Sequence, residues 1–192
     1  MKLIAEIFSV ITLFWCINSI AQPDVIFYSL EEAAAVHPDS VYRLDLSKEK
    51  LTQIPESIYS FKNLRELNLS QNKLTHLPEN FLLPNLEILY LEKNDLDTFS
   101  SSICQNTSLT HLYMGKNNIK YLPESIGSLQ NLIVLDIWFN PIRDLPMALP
   151  TMKKLRFMDL RGITYSKDFQ KKWNALLPWV KIEFDLGCDC AN

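Results

Sequence analysis

Three histidines and four cysteines are the side chains of this 192-residue sequence most able to carry chemistry. His37 precedes Pro38, His76 precedes Leu77-Pro78, and only His111 has acidic and phenolic company, Tyr113 in sequence and Asp136 one period further on. A general base needs a nucleophile or a held water within hydrogen-bond reach. Neither Thr110 nor Gly115 supplies one, so no catalytic residue is expected. Cys188 and Cys190 form a C-x-C pair with no second cysteine or histidine cluster, which is no zinc site. They can pair with each other or with an external thiol, or stay free; at a chain end they could not hold a nucleophile in fixed geometry.

What the sequence lacks is equally informative. Its four glycines, Gly115, Gly127, Gly162 and Gly187, cannot form a glycine-rich phosphate loop, so no nucleotide cofactor is expected. The formal charge of −3 leaves no electrostatic footprint for nucleic acid. Lys2, an apolar run from Phe8 to Ile17 and the small-x-small end Ser19-Ile20-Ala21 have the layout of a secretory signal peptide over residues 1–21. That run is shorter than the roughly 20 residues of a spanning helix. Export to the periplasm or the extracellular space is therefore expected, with no membrane span after cleavage. An uncleaved anchor or a lipidated Cys16 is the alternative; Trp15 is a poor neighbour for lipidation.

Thirty leucines dominate the composition, and they recur. Segments starting at Val41, Leu64, Leu86, Leu109, Leu132 and Leu155 align at spacings of 23, 22, 23, 23 and 23 residues. The fourth place of each reads Leu44, Leu67, Leu89, Leu112, Leu135, Met158, and the sixth Leu46, Leu69, Leu91, Met114, Ile137, Leu160. Asn72, Asn94, Asn117 and Asn140 hold the ninth place, followed two residues later by Leu74, Leu96, Ile119 and Ile142. Such a period implies stacked units that bury a continuous core only together.

The pattern L-x-x-L-x-L-x-x-N-x-L over residues 41–165 resembles the leucine-rich repeat family. Ile54-Pro55, Leu77-Pro78 and Leu122-Pro123 make it similar to the 23-residue, Leu-Pro-containing subclass. The signal-like start and Tyr28-Ser29-Leu30-Glu31-Glu32-Ala33 resemble exported bacterial repeat proteins of the Bacteroidetes type. The resemblance implies a short right-handed α/β solenoid with a parallel concave sheet and an extended or single-turn convex side. It also implies a non-catalytic module whose partner is a protein or peptide.

Residues 22–40 are expected to be a linker and a capping helix over Ser29–Val36. Residues 166–185 should form a C-terminal cap, with a helix over Ser166–Leu177 and a strand over Val180–Phe184, and residues 186–192 a flexible tail. The four asparagines are expected to bond backbone groups of adjacent turns. In the repeat starting at Leu86, Phe99-Ser100 replaces Leu-Pro and Asn106 stands where other repeats carry Phe61, Leu129 or Met152. Its predecessor is one residue short, around Leu83-Pro84, and local irregularity is expected on the convex side there.

The second, third, fifth, seventh and eighth places should face outward. The first two repeats offer polar groups such as Arg43, Asp45, Glu66 and Asn68. Repeats three to six gather Ile88, Tyr90, His111, Tyr113, Val134, Trp138 and Phe157, rimmed by Glu92, Asp136, Asp159 and Arg161. An apolar, aromatic patch with a charged rim has the anatomy of a recognition surface. The same rings beside carboxylates could instead stack on a glycan, or serve a structural envelope role; some could simply pack on neighbouring turns.

Overall fold

The computed structural model describes residues 26–185. The signal-like segment, Cys16, Cys188, Cys190 and the tail lie outside the described residues.

Each repeat contributes one three-residue strand from its third to fifth places. The strands are β1 (Arg43–Asp45), β2 (Glu66–Asn68), β3 (Ile88–Tyr90), β4 (His111–Tyr113), β5 (Val134–Asp136) and β6 (Phe157–Asp159). A seventh strand, β7 (Lys181–Glu183), follows the last repeat, and all seven lie parallel in sequence order. The pairing is in register with the period, so Glu66 neighbours Ile88 and Tyr113 neighbours Asp136. Every fourth-place side chain from Leu44 to Met158 is fully buried, as are Val41 and all the later first-place leucines. Burial of each such leucine contributes roughly 1.5–3 kcal/mol.

After the sixth place the chain must turn sharply, and the eighth place does so in the left-handed region. Lys48, Gln71, Lys93, Lys116 and Phe139 have φ between 54° and 64°, and Gly162 has 101°. Non-glycine residues seldom adopt this conformation. Here each is held by a backbone bond to the next turn, as in Lys116 N–H to Trp138 O at 2.8 Å and Phe139 N–H to Arg161 O at 2.6 Å.

That bend aims the ninth-place asparagine inward. Asn117 Nδ2 donates to Leu91 O and Met114 O, both at 2.9 Å, while its Oδ1 accepts from Leu96 N–H at 3.1 Å. Asn72, Asn94 and Asn140 repeat this arrangement one turn at a time. The four form a buried ladder that satisfies backbone groups the solenoid would otherwise orphan.

The return side carries short 3-10 turns at Glu56–Ser60, Ser101–Gln105, Glu124–Ser128 and Leu149–Thr151. Of the irregularity expected on the convex side, the third repeat shows none: Ser101–Gln105 matches its neighbours, with Ser100 in the capping position that Pro55 and Pro123 occupy elsewhere. It is found in the short second repeat, which makes only a turn closed by Phe81 N–H to Pro78 O. Asn106 compensates. Fully buried, it accepts from Leu83 N–H at 2.7 Å and donates to Phe81 O at 3.0 Å.

At the N-terminal end α1 (Leu30–Ala34) is shorter than expected and starts with a capping box between Ser29 and Glu32. At the other end α2 (Lys167–Leu176) begins at Ser166, whose hydroxyl accepts from Phe169 N–H, and its Trp173 is fully buried. Tyr165 takes the eleventh place of the last repeat. Its hydroxyl donates to Ile142 O at 2.7 Å and its ring stacks on Phe169 at 4.4 Å.

Candidate functional site

Parallel register converts sequence period into rows across the sheet. The third-place row runs Arg43, Glu66, Ile88, His111, Val134, Phe157, and the fifth-place row Asp45, Asn68, Tyr90, Tyr113, Asp136, Asp159. The seventh-place row passes through Glu92, Gly115, Trp138 and Arg161. Because the fourth and sixth places are buried, these rows are the outward chemistry of the sheet.

At the N-terminal end one expectation needs correction. Glu66 is not an exposed polar group but buried, clamped between Arg43 Nε at 2.9 Å and the Tyr90 hydroxyl at 3.0 Å. Tyr90 accordingly has its hydroxyl committed, and burial first, then the Glu66 carboxylate, push its pKa up to about 12. Its ring lies flat against Tyr113, centroids 4.9 Å apart and planes 6° from parallel. Tyr113 in turn stacks with His111 at 6.2 Å. The Tyr113 hydroxyl pKa is also raised, first by burial and then by Asp136 and Glu92.

Asp159 at the C-terminal end is likewise not a free rim charge. It is 2% exposed and gripped by Arg161, with Nε to Oδ1 at 3.0 Å and Nη2 to Oδ2 at 2.5 Å. The seventh strand explains this burial, since β7 covers the flank of β6 that an unpaired last repeat would expose. Lys181 spans from Glu183, at 2.5 Å, to the ring of Phe157, at 5.9 Å.

Between these two internally paired ends lies the open part of the face. Tyr113, Val134, Asp136 and Trp138 are all partly exposed, with Ile88, Glu92 and His111 beside them. Trp138 is seated on Gly115, where an added Cβ would come within 2.1 Å of the indole ring. Glycine in the seventh place of the fourth repeat is therefore a seat for the tryptophan. Lys116 holds its ammonium 4.7 Å from the ring centre. Asp136 accepts one hydrogen bond, from Trp138 N–H at 3.3 Å. Its pKa is pushed up to about 6, chiefly by burial and then by Asp159 and Glu92, with Trp138 N–H and Arg161 opposing.

His111 Nδ1 lies 2.9 Å from Thr110 Oγ1, its own neighbour, rather than against Asp136. No cluster of three or more histidine, cysteine or carboxylate side chains among the described residues could hold a metal ion. Cys104 is buried beside Ser125, and that burial raises its thiol pKa. Cavities of about 440 and 460 Å³ lie beyond the aromatic rows, one under α1 and one beside Arg143 and Phe169. No helix of the described residues is long and apolar enough to cross a membrane.

Sequence reasoning missed a second polar ladder. Asn63, Asn85, Ser108 and Asn131 bond Asp39 O, Lys62 O, Pro84 O and Thr107 O of the preceding turn at 2.7–2.9 Å. The signal was present, since each stands immediately before a first-place leucine.

A curved stack of one-strand turns with an inward asparagine ladder and an open aromatic face defines a leucine-rich repeat protein. The chain belongs to that family: leucine-rich repeat models match residues 39–96 and, as a two-copy repeat, residues 107–151, together more than half its length. A leucine-rich repeat protein of Leptospira interrogans is similar, at 28% identity and a TM-score of 0.65, over 75% of this chain and 36% of that one. Internalin C2 of Listeria monocytogenes shares the fold at 23% identity and a TM-score of 0.61, over 76% of this chain and 62% of that one. The chain thus spans about a third of the first protein and about three-fifths of the second. No curated protein matches it.

Proposed function

We propose that this chain is an exported, non-catalytic protein-interaction module that binds a protein or peptide partner on the concave face of its third to sixth repeats. One observation carries the reading. Tyr90 and Tyr113 stack in the fifth-place row and Trp138 stands at the seventh place of the next repeat, three partly exposed rings in adjacent repeats of an open sheet, which bury large area at small entropic cost on contact. Residues 1–21 act as its secretory signal, as their charge and apolar pattern support. Right-handed winding is the sense that parallel crossovers adopt. The helices α1 and α2 serve as caps, closing the apolar ends that terminal repeats leave open. The Leu-Pro turns support the 23-residue subclass and an exported bacterial setting.

Because Tyr90 is tied to buried Glu66, the test uses Tyr113 and Trp138. The chain from Gln22 onward, with and without Tyr113→Ser and Trp138→Ser together, is used to capture partners from the native extracellular or periplasmic fraction. A protein retained by the wild type and lost by an equally stable double variant supports the reading. A captured protein indifferent to both substitutions overturns it. Glycan binding, the second reading, would give capture of oligosaccharides in place of protein.

A further inference from the structure

The concave face is electrically unbalanced in its middle, and this deepens the reading above, on which it rests. Its strand and rim cations are spent internally, Arg43 on Glu66, Arg161 on Asp159 and Lys181 on Glu183, which leaves Lys93 and Lys116 of the middle bends. Glu92 and Asp136 have no ion-pair partner among the described residues. They flank Tyr113, whose strand neighbour is Asp136, and Trp138, whose ring already receives the ammonium of Lys116. Aromatic faces attract cations, more strongly when these are partly desolvated.

We propose that the occupant of this face is an extended protein segment bearing lysine or arginine, with the cation held against Tyr113 and Trp138 and neutralising Asp136 and Glu92. An acidic segment would place carboxylates beside two uncompensated carboxylates, and like-charge juxtaposition at an interface is strongly unfavourable. A neutral sugar would leave both charges uncompensated. Lys116, over the Trp138 ring, and Lys93, next to Glu92 in the chain, are the opposing groups, like charges near the entering cation.

Protonation adds a second signature. Asp136 faces Tyr113 on β4, Asp159 on β6, and Glu92 and Arg161 in the bends. A bound cation favours its ionised form, so binding strengthens as pH rises from 5 to 7.5.

The test is a peptide array of dodecamers in which lysine or arginine alternates with apolar residues, beside copies carrying glutamine or glutamate at the same positions. Affinities of the best binders are then measured by fluorescence anisotropy. The cationic set should bind about tenfold or more tighter than the glutamine set, and the glutamate set weakest. Asp136→Asn should weaken binding about tenfold and abolish its pH dependence, whereas Lys116→Gln should tighten it several-fold. Each variant's melting temperature confirms folding. Equal binding of glutamine peptides, unchanged affinity in Asp136→Asn, or no binding by any cationic peptide overturns the cation proposal. Loss of a natural partner in the Tyr113/Trp138 double variant would still uphold the binding surface itself, so the two failures are distinguishable. Binding to a glycan array alone overturns both.

Discussion

The asparagine ladder makes a quantitative prediction that depends on position along the solenoid. Removing the Asn117 side chain leaves Leu96 N–H without its partner. The two carbonyls it served keep one each, because Leu91 O also accepts from Asn94 and Met114 O also accepts from Asn140. Asn117→Ala therefore orphans one buried group, at about 1–3 kcal/mol, and weakens two more. Asn140 sits at the end of the ladder, where Ile137 O accepts from it alone and Ile163 continues the column. Asn140→Ala orphans Ile119 N–H and Ile137 O together, and should cost more than Asn117→Ala by about 1 kcal/mol or more. Asn72 at the other end should resemble Asn140, because Leu46 O depends on it in the same way. Asn117→Asp adds a pH test. The introduced carboxyl can donate, and to one of the two carbonyls, only when protonated, so its folded pKa lies above its unfolded one. Its stabilisation is complete below the unfolded value and lost as pH rises through the folded one. Urea unfolding followed by circular dichroism, with the slope unchanged between variants, measures all of these. A cost below about 0.5 kcal/mol for Asn117→Ala, or equal costs at both positions, would refute the reasoning.

Three other perturbations follow from the packing and charge of the face and of the return side. Asp136 has a folded pKa of about 6 against an ordinary 3.8, so it favours folding in its protonated form, fully below pH 4 and no longer above pH 6. Asp136→Asn should therefore raise stability near pH 7.5 by about 1–2 kcal/mol after screening and change little at pH 4, read from melting temperatures at both. Gly115→Ala should displace Trp138 and cost about 1–3 kcal/mol, detected by denaturant unfolding and by a shift of the indole resonance. Asn106→Leu restores the apolar pattern of the other repeats, yet it should destabilise by about 2 kcal/mol or more, since Leu83 N–H and Phe81 O lose their partner. A more stable Asn106→Leu variant would show that the short second repeat closes without that asparagine.

The core was legible because period fixes burial: a residue at the fourth place of a repeat has no outward option. What was less legible depends on pairs. Glu66 reads as a solvated carboxylate until Arg43 and Tyr90 are seen converging on it from the strands on either side. Asp159 reads as a rim charge until β7 closes over the last repeat and Arg161 folds back. Asn106 reads as a flaw in its own repeat, whereas its work is done for the preceding one, which lacks a residue. Gly115 carries no signal by itself; its meaning comes from Trp138, one period away. Arg161 apart, which lies two residues from Asp159, the partners lie about one turn of the solenoid distant, where sequence offers the register but not the direction of the side chain.

The central claim is that partners are met on the concave rows, and site-specific photo-crosslinking in cells that naturally make the protein tests it most directly. A photoreactive phenylalanine at position 138 would stand in for Trp138, and one at 121 for Tyr121, which is 73% exposed but lies outside the strands. A discrete protein adduct is expected from position 138 and none from position 121. An adduct from position 121 with none from position 138 would contradict that claim.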